Sequence, residues 1–436
     1  MERIRILFIV GGIAIGDQVG SAEKMALQAA RQLDRTVFET RVFSMWGYGS
    51  AAEKYWLDTL TREGIVVEGM IPARENAIAQ YAPITARFWQ CLDEYRPQIV
   101  NSHSQRADPL SLIARWLHPV HARAVRTSHL DQPWLERPLM VTVQRLIFPF
   151  AFDAEIGISK SIQSRLDGRW VARLLGKKAW LIYNGIDRAV VERSAQTAQN
   201  KLSEGLDSIP TPRLITVGRS AQTAQNKLSE GLDSIPTPRL ITVGRGAQTA
   251  PEGLDSIPTP RLITVGRLSK QKGYSYLLRA MQIAAQQRRQ APPHLLIAGS
   301  GPLEQELKQE AAALGAAEYV HFLGSRSDVL DLLPHAQAFV SSSLWEGFPS
   351  VILEAMAGGV PVIATDIPGS REMVQSGETG VIAPPANAEA LAEAIGWMLD
   401  HPREAEVMAK TARARMAKFT LEAAIGQFDS LFRSLV

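Results

Sequence analysis

The chain opens with apolar runs that alternate with amphipathic stretches. Arg3 to Val10 is a β-branched and aromatic run, a loop with several glycines follows, and SAEKMALQAARQL then places apolar residues at helical spacing, with Ser21 positioned as the helix cap. The strand-like PQIVNSH, the helical DPLSLIARWL and the strand-like ARAVRTS continue the alternation. Strands separated by helices predict a parallel sheet with crossover helices, so we expect residues 1–187 to form an α/β lobe.

A second series of the same kind begins with RLITVGR at 261–267. Helical or turn-like stretches separate the strand-like runs that follow, which are HLLIAGSG, YVHFLGS, AFVSSS and VPVIATD. We therefore expect residues 260–415 to form a second α/β lobe. The last stretch, FTLEAAIGQFDSLFRSLV, has helical apolar spacing, so residues 416–436 are predicted to contain a closing helix.

The linker between the lobes, residues 188–259, contains an internal repeat. SAQTAQNKLSEGLDSIPTPRLITVGR occupies 194–219 and, unchanged, 220–245, and a shortened copy occupies 246–267. Stacked structural repeats diverge at surface positions, whereas these copies match even where the sequence is loop-like. The identity indicates a recent duplication or an error in sequence assembly. Only the third copy continues into LSKQKG, so it is predicted to supply the native strand, with 194–245 as an insertion.

Composition narrows the classes of function. A chain of 436 residues exceeds the size of about 250 to 300 residues at which single cores stop growing, which fits two domains. A net charge of +3 is too small to indicate nucleic-acid binding, so no nucleic-acid partner is expected. The single cysteine, Cys91, and an N-terminus without a signal-peptide pattern favour a cytoplasmic protein. No apolar run approaches the roughly 20 residues of a membrane span.

Residues 101–193 carry a local excess of basic side chains, with 14 Lys and Arg against 8 Asp and Glu. Trp116, Trp134, Trp170 and Trp180 lie among them. Such a surface could rest on anionic lipid, as a peripheral contact with the inner face of a membrane. A mildly basic lobe with buried or partly buried tryptophans accounts for the pattern equally well.

The strongest candidate site is LWEGFPSVILEAMAGGVPVIATD. Its proline and the later glycine pair are typical of a helix start and a helix end, which predicts a helix from about Pro349 to Ala357. Free backbone N–H groups near Ser350 would then form an anion site for a diphosphate. Glu346 and Glu354, on either side, could accept hydrogen bonds from sugar hydroxyls. Two solvated glutamates on an amphipathic helix are the alternative, but the Gly-Phe-Pro sequence favours a binding site.

The second candidate is GRLSKQKG, which places Arg267 at the end of a strand-like run and Lys272 shortly after it. The carboxyl ends of strands form the crevice in which α/β folds bind ligands. Two cations there can neutralise a departing nucleoside diphosphate, so neither a metal ion nor another cofactor is expected. A surface-exposed basic loop is the alternative.

Together these motifs resemble the donor-site signature of glycosyltransferase family 4. GRLSKQKG, GSGP and EGFPSVILE carry the resemblance in the second lobe, and VGSAEKMA, HSQRAD and YNGID extend it to the first. The resemblance implies the α/β GT-B fold, in which two Rossmann-like domains face each other across a cleft. It also implies a retaining glycosyltransferase that moves a hexose-type sugar from a nucleoside-diphosphate sugar, most commonly a UDP-sugar, to a glycan or lipid-linked acceptor in polysaccharide or glycolipid synthesis.

The resemblance further implies roles for single residues. Arg267 and Lys272 hold the diphosphate, Glu354 holds the ribose, and Glu346 contacts the transferred sugar. The backbone of the Gly-Phe-Pro segment cradles that sugar, and the base is read near Arg326. The expected donor-binding residues are Arg267, Lys272, Glu346, Gly347, Phe348, Pro349, Ser350, Glu354, Gly299 and Arg326. The expected catalytic residues are Glu346, His129, Arg267 and Lys272.

In the first lobe, His103 and His129 each follow a strand-like run and could reach the cleft from the carboxyl edge of the sheet. A lone histidine is usually structural, and only His129 matches, by resemblance, a cleft histidine that contacts the donor sugar. The spacing of Gly12, Gly16 and Gly20 fails the G-x-G-x-x-G pattern, which argues against a dinucleotide cofactor. Gly16, Gly20 and His103 are assigned to the acceptor side.

Asp108 and Asp131 are the remaining carboxylates on the cleft side by sequence position, and neither has a partner that would make it a convincing general base. Their isolation suits a transfer in which the leaving phosphate takes the acceptor proton, as the resemblance implies. Two alternatives stay open. A sugar-nucleotide epimerase of the same fold would act without an acceptor, and an inactive nucleotide-sugar-binding protein would bind the donor without turnover.

Overall fold

The computed structural model describes residues 2–14, 20–73, 80–129, 138–187, 191–192, 254, 256–288, 291–326 and 328–436. Gly16, Asp131 and the two full repeat copies at 194–245 lie outside these residues. The predictions that concern them are therefore not tested by the structure.

The described residues of the first lobe form a parallel sheet of seven strands in the order β3-β2-β1-β4-β5-β6-β7. Its central strand is buried along most of its length, because residues 6–10 have no exposed surface and helices cover both faces of the sheet. The strands are β1 Ile4–Gly12, β2 Phe38–Gly47, β3 Val66–Pro72, β4 Ile99–Ser102, β5 Arg123–Ser128, β6 Ala154–Gly157 and β7 Trp180–Leu181. The helices are α1 Ser21–Gln32, α2 Ala51–Arg62, α3 Tyr81–Tyr95, α4 Asp108–Leu112, α5 Pro138–Leu146, α6 Phe148–Ala151, α7 Lys160–Asp167 and α8 Trp170–Leu174, with a π-helical turn at Ile113–Leu117.

The described residues of the second lobe form a parallel sheet of six strands in the order β10-β9-β8-β11-β12-β13. The strands are β8 Arg261–Val265, β9 His294–Ala298, β10 Val320–Gly324, β11 Ala338–Ser341, β12 Val362–Thr365 and β13 Val381–Ala383. The helices are α9 Tyr274–Gln287, α10 Glu304–Ala313, α11 Val329–Leu332, α12 Ser350–Ala357, α13 Pro368–Met373, α14 Ala388–Asp400, α15 Pro402–Ala414 and α16 Leu421–Ser434. Short 3-10 helices occupy Lys270–Lys272, Leu333–His335 and Arg415–Phe419.

Both sheets reverse their strand order at one point, between β1 and β4 in the first and between β8 and β11 in the second. In doubly wound folds the ligand crevice opens at this point, outside the carboxyl ends of the strands. The strand β8 comes from the third repeat copy, as predicted, and it pairs with both β9 and β11. A ligand that contacts both lobes would therefore lie where the carboxyl edges of the two sheets face each other.

The closing helix α16 returns to the first lobe. Phe428 and Phe432 are fully buried there, and the ring of Phe432 meets those of Phe8 and Phe38 edge to face. Two backbone hydrogen bonds hold the segment before α16 against the end of the first lobe. The N–H of Ile186 donates to the carbonyl of Phe419, and the N–H of Leu421 donates to the carbonyl of Ile186. The C-terminus therefore ties the two lobes together.

Two predicted helix starts are wrong by one residue. Gly20, in extended conformation, is the N-cap of α1, so Ser21 is the first helical residue rather than the cap. Pro349 is likewise the extended N-cap of α12, which begins at Ser350. None of the helices in the described part of the chain combines the length and the hydrophobicity that a membrane span requires.

Candidate active site

The carboxyl ends of the two sheets face each other across a cleft of about 760 Å³. Loops after β1, β4 and β5 line it from the first lobe, and loops after β8 and β11 line it from the second. The cleft thus brings together residues that are far apart in sequence. The predicted site residues that line it are Gly20, His103, His129, Arg267, Lys272, Glu346, Gly347 and Phe348.

The carboxylate of Glu346 is the centre of the second-lobe wall. Lys272 Nζ lies 2.6 Å from Oε1, Ser343 Oγ donates to the same oxygen at 3.0 Å, and Gln271 Nε2 donates to Oε2 at 3.0 Å. These partners come from two separate loops, so the two sequence motifs meet at one carboxylate. Glu346 is held in a fixed orientation, and its charge is matched by that of Lys272.

The loop that carries Lys272 depends on Gly273. Gly273 has φ of +63°, and a Cβ atom there would lie 2.2 Å from the carbonyl oxygen of Ser342. Only glycine adopts this conformation at so short a distance from another backbone. Ser342 Oγ also donates to the carbonyl of Lys272 at 2.8 Å, which fastens the lysine loop to the end of β11.

Arg267 lies two residues after the end of β8, is exposed and lines the cleft. Within the described residues its guanidinium group makes no hydrogen bond or ion pair, in contrast to Lys272. A charged group that projects into a cleft without a protein partner is available to an anionic ligand. Arg267 and Lys272 together form the cationic part of the site.

Two histidines form a hydrogen-bonded pair on the opposite wall. Asn101 Oδ1 accepts from His103 Nε2, and His103 Nδ1 lies 3.2 Å from His129 Nε2. Because the Asn101 oxygen can only accept, His103 carries its proton on Nε2, and His129 Nε2 donates to His103 Nδ1. His129 Nδ1 then keeps a lone pair that has no hydrogen-bond partner in the described part of the protein.

Both histidines are neutral at physiological pH. Burial, together with the neighbouring His129, lowers the pKa of His103 well below its usual value. Burial and the charge of Arg126 lower the pKa of His129 to about 3. Neutral imidazole can accept or donate a hydrogen bond to a sugar hydroxyl without adding a charge to the cleft. The hydrogen bonds of His103 hold His129 in place, and the assignment of His103 to the acceptor side stays a prediction.

The two walls touch at Gly347. A Cβ atom on Gly347 would lie 2.0 Å from the carbonyl oxygen of His129, so this position requires glycine. The ring of Phe348 turns away from the cleft and packs with Tyr183 and Phe419, at centroid distances of 5.2 and 5.6 Å. The Phe348 side chain is therefore part of the apolar packing beside the cleft, and the role of the backbone of this segment toward a sugar stays a prediction.

The remaining predicted donor residues do not line this cleft. Ser350 and Pro349 form the start of α12 as described above, and Glu354 on that helix lies 3.6 Å from Lys24 of α1 across the lobes. Gly299, with φ of +155°, packs against the carbonyl of Gly266 and so serves the tight strand-to-helix turn. Arg326 pairs through two nitrogens with the carboxylate of Asp328.

On the acceptor side, the sequence analysis missed several residues that line the cleft. Tyr48 and Trp46 come from the end of β2, and Arg106 follows β4 with its guanidinium group 5.5 Å from the centre of the Trp46 ring. Glu23, in the first turn of α1, lines the same wall, and burial raises its pKa. The available signal was the position of Arg106 after the predicted strand PQIVNSH, whereas the strand that carries Trp46 was not predicted. Gly16, assigned to this side, lies outside the described residues.

Asp108 does not face the cleft, contrary to the sequence analysis. It is buried and accepts hydrogen bonds from Arg126 Nε and Ser102 Oγ, both at 2.7 Å. Burial raises the pKa of Asp108, while the charge of Arg126 opposes that shift. Asp108 is therefore a structural partner of Arg126. Among the described residues, no three His, Cys, Asp or Glu side chains converge in the way a metal site requires.

Two families of known sequences match the two lobes. Residues 22–190 match the family described as "Glycosyltransferase Family 4", and residues 256–415 match "Glycosyl transferases group 1". The two full repeat copies fall between the matched segments. The second match begins inside the third copy, in agreement with the origin of β8.

Individual relatives match over shorter segments. The D-rhamnosyltransferase WbpZ of Pseudomonas aeruginosa is 39% identical over 126 residues, which are 28% of this chain and 33% of WbpZ. The lipopolysaccharide core biosynthesis mannosyltransferase LpsB of Rhizobium meliloti is 34% identical over 147 residues, which are 33% of this chain and 40% of LpsB. The chain thus spans less than half the length of these relatives.

Solved structures match along almost the whole chain. The structure of Anabaena Alr3699/HepE in complex with UDP and glucose has a TM-score of 0.70 and 20% identity, and the match covers 99% of this chain and 100% of that one. The sucrose-phosphate synthase of Thermosynechococcus elongatus has a TM-score of 0.70 and 20% identity, with 99% of each chain covered. At this identity the likeness shows a common fold.

Proposed function

Because the chain belongs to glycosyltransferase family 4 and adopts the GT-B fold, we propose that it is an enzyme that transfers a sugar from a nucleoside-diphosphate sugar to a hydroxyl acceptor. One observation carries the proposal. Arg267 and the Lys272–Glu346 pair stand on one wall of the cleft, and the neutral His129 stands on the other. This arrangement fits an anionic diphosphate that is joined to an uncharged sugar.

The proposed donor is a UDP-sugar. The HepE structure, which shares the fold, is a complex with UDP and glucose, and this supports the choice of base. The diphosphate would lie against Arg267 and Lys272, and the sugar hydroxyls would lie between Glu346 and His129. Both WbpZ and LpsB are named as transferases of single sugars, which supports a hexose-type donor.

The proposed reaction retains the configuration at the anomeric carbon. The acceptor oxygen forms a bond to that carbon on the face from which the diphosphate leaves, while the bond to the phosphate oxygen breaks. The acceptor proton passes to the departing phosphate oxygen, so no protein base is needed. Arg267 and Lys272 stabilise the negative charge that develops on the diphosphate, and for this reason the mechanism needs no divalent metal ion.

The proposed acceptor is a glycan or a lipid-linked glycan, in the synthesis of a polysaccharide or glycolipid in the cytoplasm. LpsB is named for lipopolysaccharide core biosynthesis, which supports this class of product. The residues that would face the acceptor are Tyr48, Arg106 and Glu23, because they line the first-lobe side of the cleft. Closure of the lobes would keep water from the donor.

Thermal-shift titration with UDP, GDP and ADP tests the donor site. One nucleotide is expected to raise the unfolding temperature, because a ligand that binds only the folded state stabilises it. Lys272→Ala should weaken this binding by about tenfold or more, since it removes a charge-assisted contact to phosphate. Lys270→Ala is the matched control, because Lys270 is exposed in the same loop and does not line the cleft. Equal shifts in both variants would contradict the proposed site.

A transfer assay tests the chemistry. With UDP-sugars and a panel of glycan and lipid-linked acceptors, Glu346→Gln is expected to lower turnover about a hundredfold, the typical cost of removing one preorganised electrostatic contact. The product anomer should match that of the donor by NMR, and EDTA should leave the rate unchanged. Conversion of the donor without any acceptor would favour the epimerase. Donor binding without transfer to any acceptor would favour an inactive binding protein.

A further inference from the structure

The first lobe exposes large apolar side chains that do not belong to the cleft lining. Trp170 is 63% exposed, Leu174 is 73% exposed and Phe150 is 52% exposed. Trp116 is likewise 57% exposed, whereas Trp46 of the same lobe is buried. The apolar face, as we define it, consists of Trp116, Leu117, Leu146, Ile147, Phe150, Trp170, Leu174 and Leu175.

The elements that carry the apolar face lie side by side. The indole nitrogen of Trp116, in the π-helical turn, donates to the carbonyl of Ala151 at the end of α6, at 3.2 Å. Arg169, just before α8, donates to the carbonyl of Gln144 in α5 at 3.0 Å. Helices α5 and α6 are separated by a single residue, Ile147. The exposed side chains therefore belong to one continuous surface rather than to scattered positions.

The charges around the apolar face are segregated by sign. Residues 138–181 contain seven Lys and Arg against three Asp and Glu. None of the three carboxylates is exposed, and each has an internal partner. Asp153 pairs with Arg115, Glu155 pairs with Arg126 and Arg169, and Asp167 accepts from the backbone N–H of Ala179.

Several of the cations, in contrast, remain in solvent. Arg145 on α5, Arg173 on α8 and Lys178 after α8 are all exposed. Arg145 and Arg173 have no carboxylate partner among the described residues. The surface therefore combines aromatic and aliphatic side chains with positive charge and presents no exposed negative charge of its own between 138 and 181.

We propose that the apolar face docks peripherally on an anionic phospholipid bilayer. Tryptophan partitions into the interfacial region of a bilayer with its ring buried and its N–H hydrated, and phenylalanine and leucine bury their apolar side chains at the same boundary. Arginine and lysine side chains extend from the same surface toward lipid phosphates. A polar protein partner would not require this combination of exposed Trp, Phe and Leu with uncompensated positive charge.

Vesicle flotation with the full chain tests the proposal. The protein is expected to float with vesicles of phosphatidylcholine and phosphatidylglycerol, to bind vesicles of phosphatidylcholine alone at least tenfold more weakly, and to be released by salt. Phe150→Ser with Trp170→Ser should abolish flotation. Arg145→Glu with Arg173→Glu should lower binding at least tenfold, because each cation near an anionic surface contributes about a fivefold factor and each reversal adds repulsion.

Matched variants on other surfaces distinguish docking through the apolar face from nonspecific adsorption to vesicles. Tyr55→Ser with Val407→Ser removes two side chains that are 64% and 63% exposed elsewhere, and Arg403→Glu with Lys418→Glu makes the same change of net charge on the second lobe. Both pairs should float like the unmodified protein.

Flotation that is equal in all variants, or absent with anionic vesicles, would overturn the proposal. So would a dimer in solution that Phe150→Ser with Trp170→Ser dissociates, because the apolar face would then bind a second copy. Unchanged unfolding temperatures and nucleotide shifts establish that each variant is folded.

Discussion

At the scale of single residues, the neutral histidine pair distinguishes the first-lobe wall from an ordinary polar surface. His103 is fully enclosed between Asn101 and His129, and its hydrogen bonds determine which nitrogen of His129 is free. A charge on His129 would be buried near the charge of Arg126, and a charge on His103 would be buried beside His129. The neutral pair therefore adds no positive charge to the first-lobe wall of the cleft.

The depressed pKa values predict how stability changes with pH. In the unfolded chain each histidine takes up a proton below about pH 6.5, whereas folded His129 remains neutral down to a pKa of about 3. The unfolded state thus binds more protons as the pH falls, and folding stability is lost, by at most about 1.4 kcal/mol per pH unit for each histidine. Thermal unfolding between about pH 7 and pH 4 measures this slope.

His129→Asn should flatten the pH dependence, because it removes one proton-binding group from the unfolded state alone. His121→Asn is the control. His121 is exposed on a turn with φ of +47°, a conformation that asparagine tolerates. Unfolding temperatures that fall in parallel for His129→Asn and the unmodified protein would show that His129 titrates normally.

At the scale of elements, the two lobes meet through backbone groups as well as through side chains. Gly347 lies against the carbonyl of His129, and the carboxylate of Glu372 on α13 accepts from the backbone N–H groups of Lys160 and Ser161 at the start of α7. Helix starts have unpaired N–H groups and a partial positive charge, so a carboxylate from the other lobe is a stabilising partner. These contacts set the width of the cleft.

Gly347→Ala should widen the contact between Gly347 and the carbonyl of His129. The added methyl group would overlap the His129 carbonyl, and relief requires a shift of one wall, at a cost of about 1 to 3 kcal/mol of stability. Because the shift moves Glu346 away from His129, we expect a higher KM for the donor together with a lower unfolding temperature. Enzyme kinetics and calorimetry on the same preparation measure both.

Gly396→Ala is the control for this substitution. Gly396 lies inside α14, and a Cβ atom there would meet no atom within 4 Å. Alanine should therefore stabilise the helix by about 0.5 to 1 kcal/mol without changing the kinetics. A Gly347→Ala enzyme with unchanged KM would mean that the contact with His129 does not position the donor site.

At the scale of the whole molecule, strand β8 can be used to test which copy of the repeat forms part of the second-lobe sheet. Ile263 of β8 is fully buried in the second-lobe core, and its counterpart in the second copy is Ile241. Since a sheet has one place for this strand, Ile263→Asp should unfold the second lobe, because it buries an unpaired carboxylate. Ile241→Asp should leave the unfolding temperature and the nucleotide shift unchanged. If both variants behave alike, the copies can replace each other in the sheet.

Deletion of residues 194–245 extends this test. It removes 52 of the 436 residues, since 219 − 194 + 1 and 245 − 220 + 1 are both 26, and leaves the third copy intact. The shortened chain should retain nucleotide binding and transfer, because β8 and the GRLSKQKG loop remain. Loss of binding would show that the insertion contributes to the second lobe.

The sequence alone determined the alternation of strands and helices, both lobes, the third-copy origin of β8 and the cleft location of Arg267, Lys272, Glu346 and His129. These features depend on local spacing and on the rule that strand ends carry ligand sites, so they can be recognised without coordinates. The one-residue errors at Ser21 and Pro349 arose because the cap depends on backbone angles that composition does not specify.

Only the tertiary structure decided which groups pair. It joined Lys272, Gln271 and Ser343 at Glu346, turned Asp108 inward to Arg126, linked His103 to His129, and placed Trp116, Phe150 and Trp170 on one exposed face. Apart from the contact of Ser343 with Glu346, these contacts join residues from separate segments of the chain. Their distances depend on how the sheets twist and how the lobes close, and no periodicity along the chain encodes that geometry.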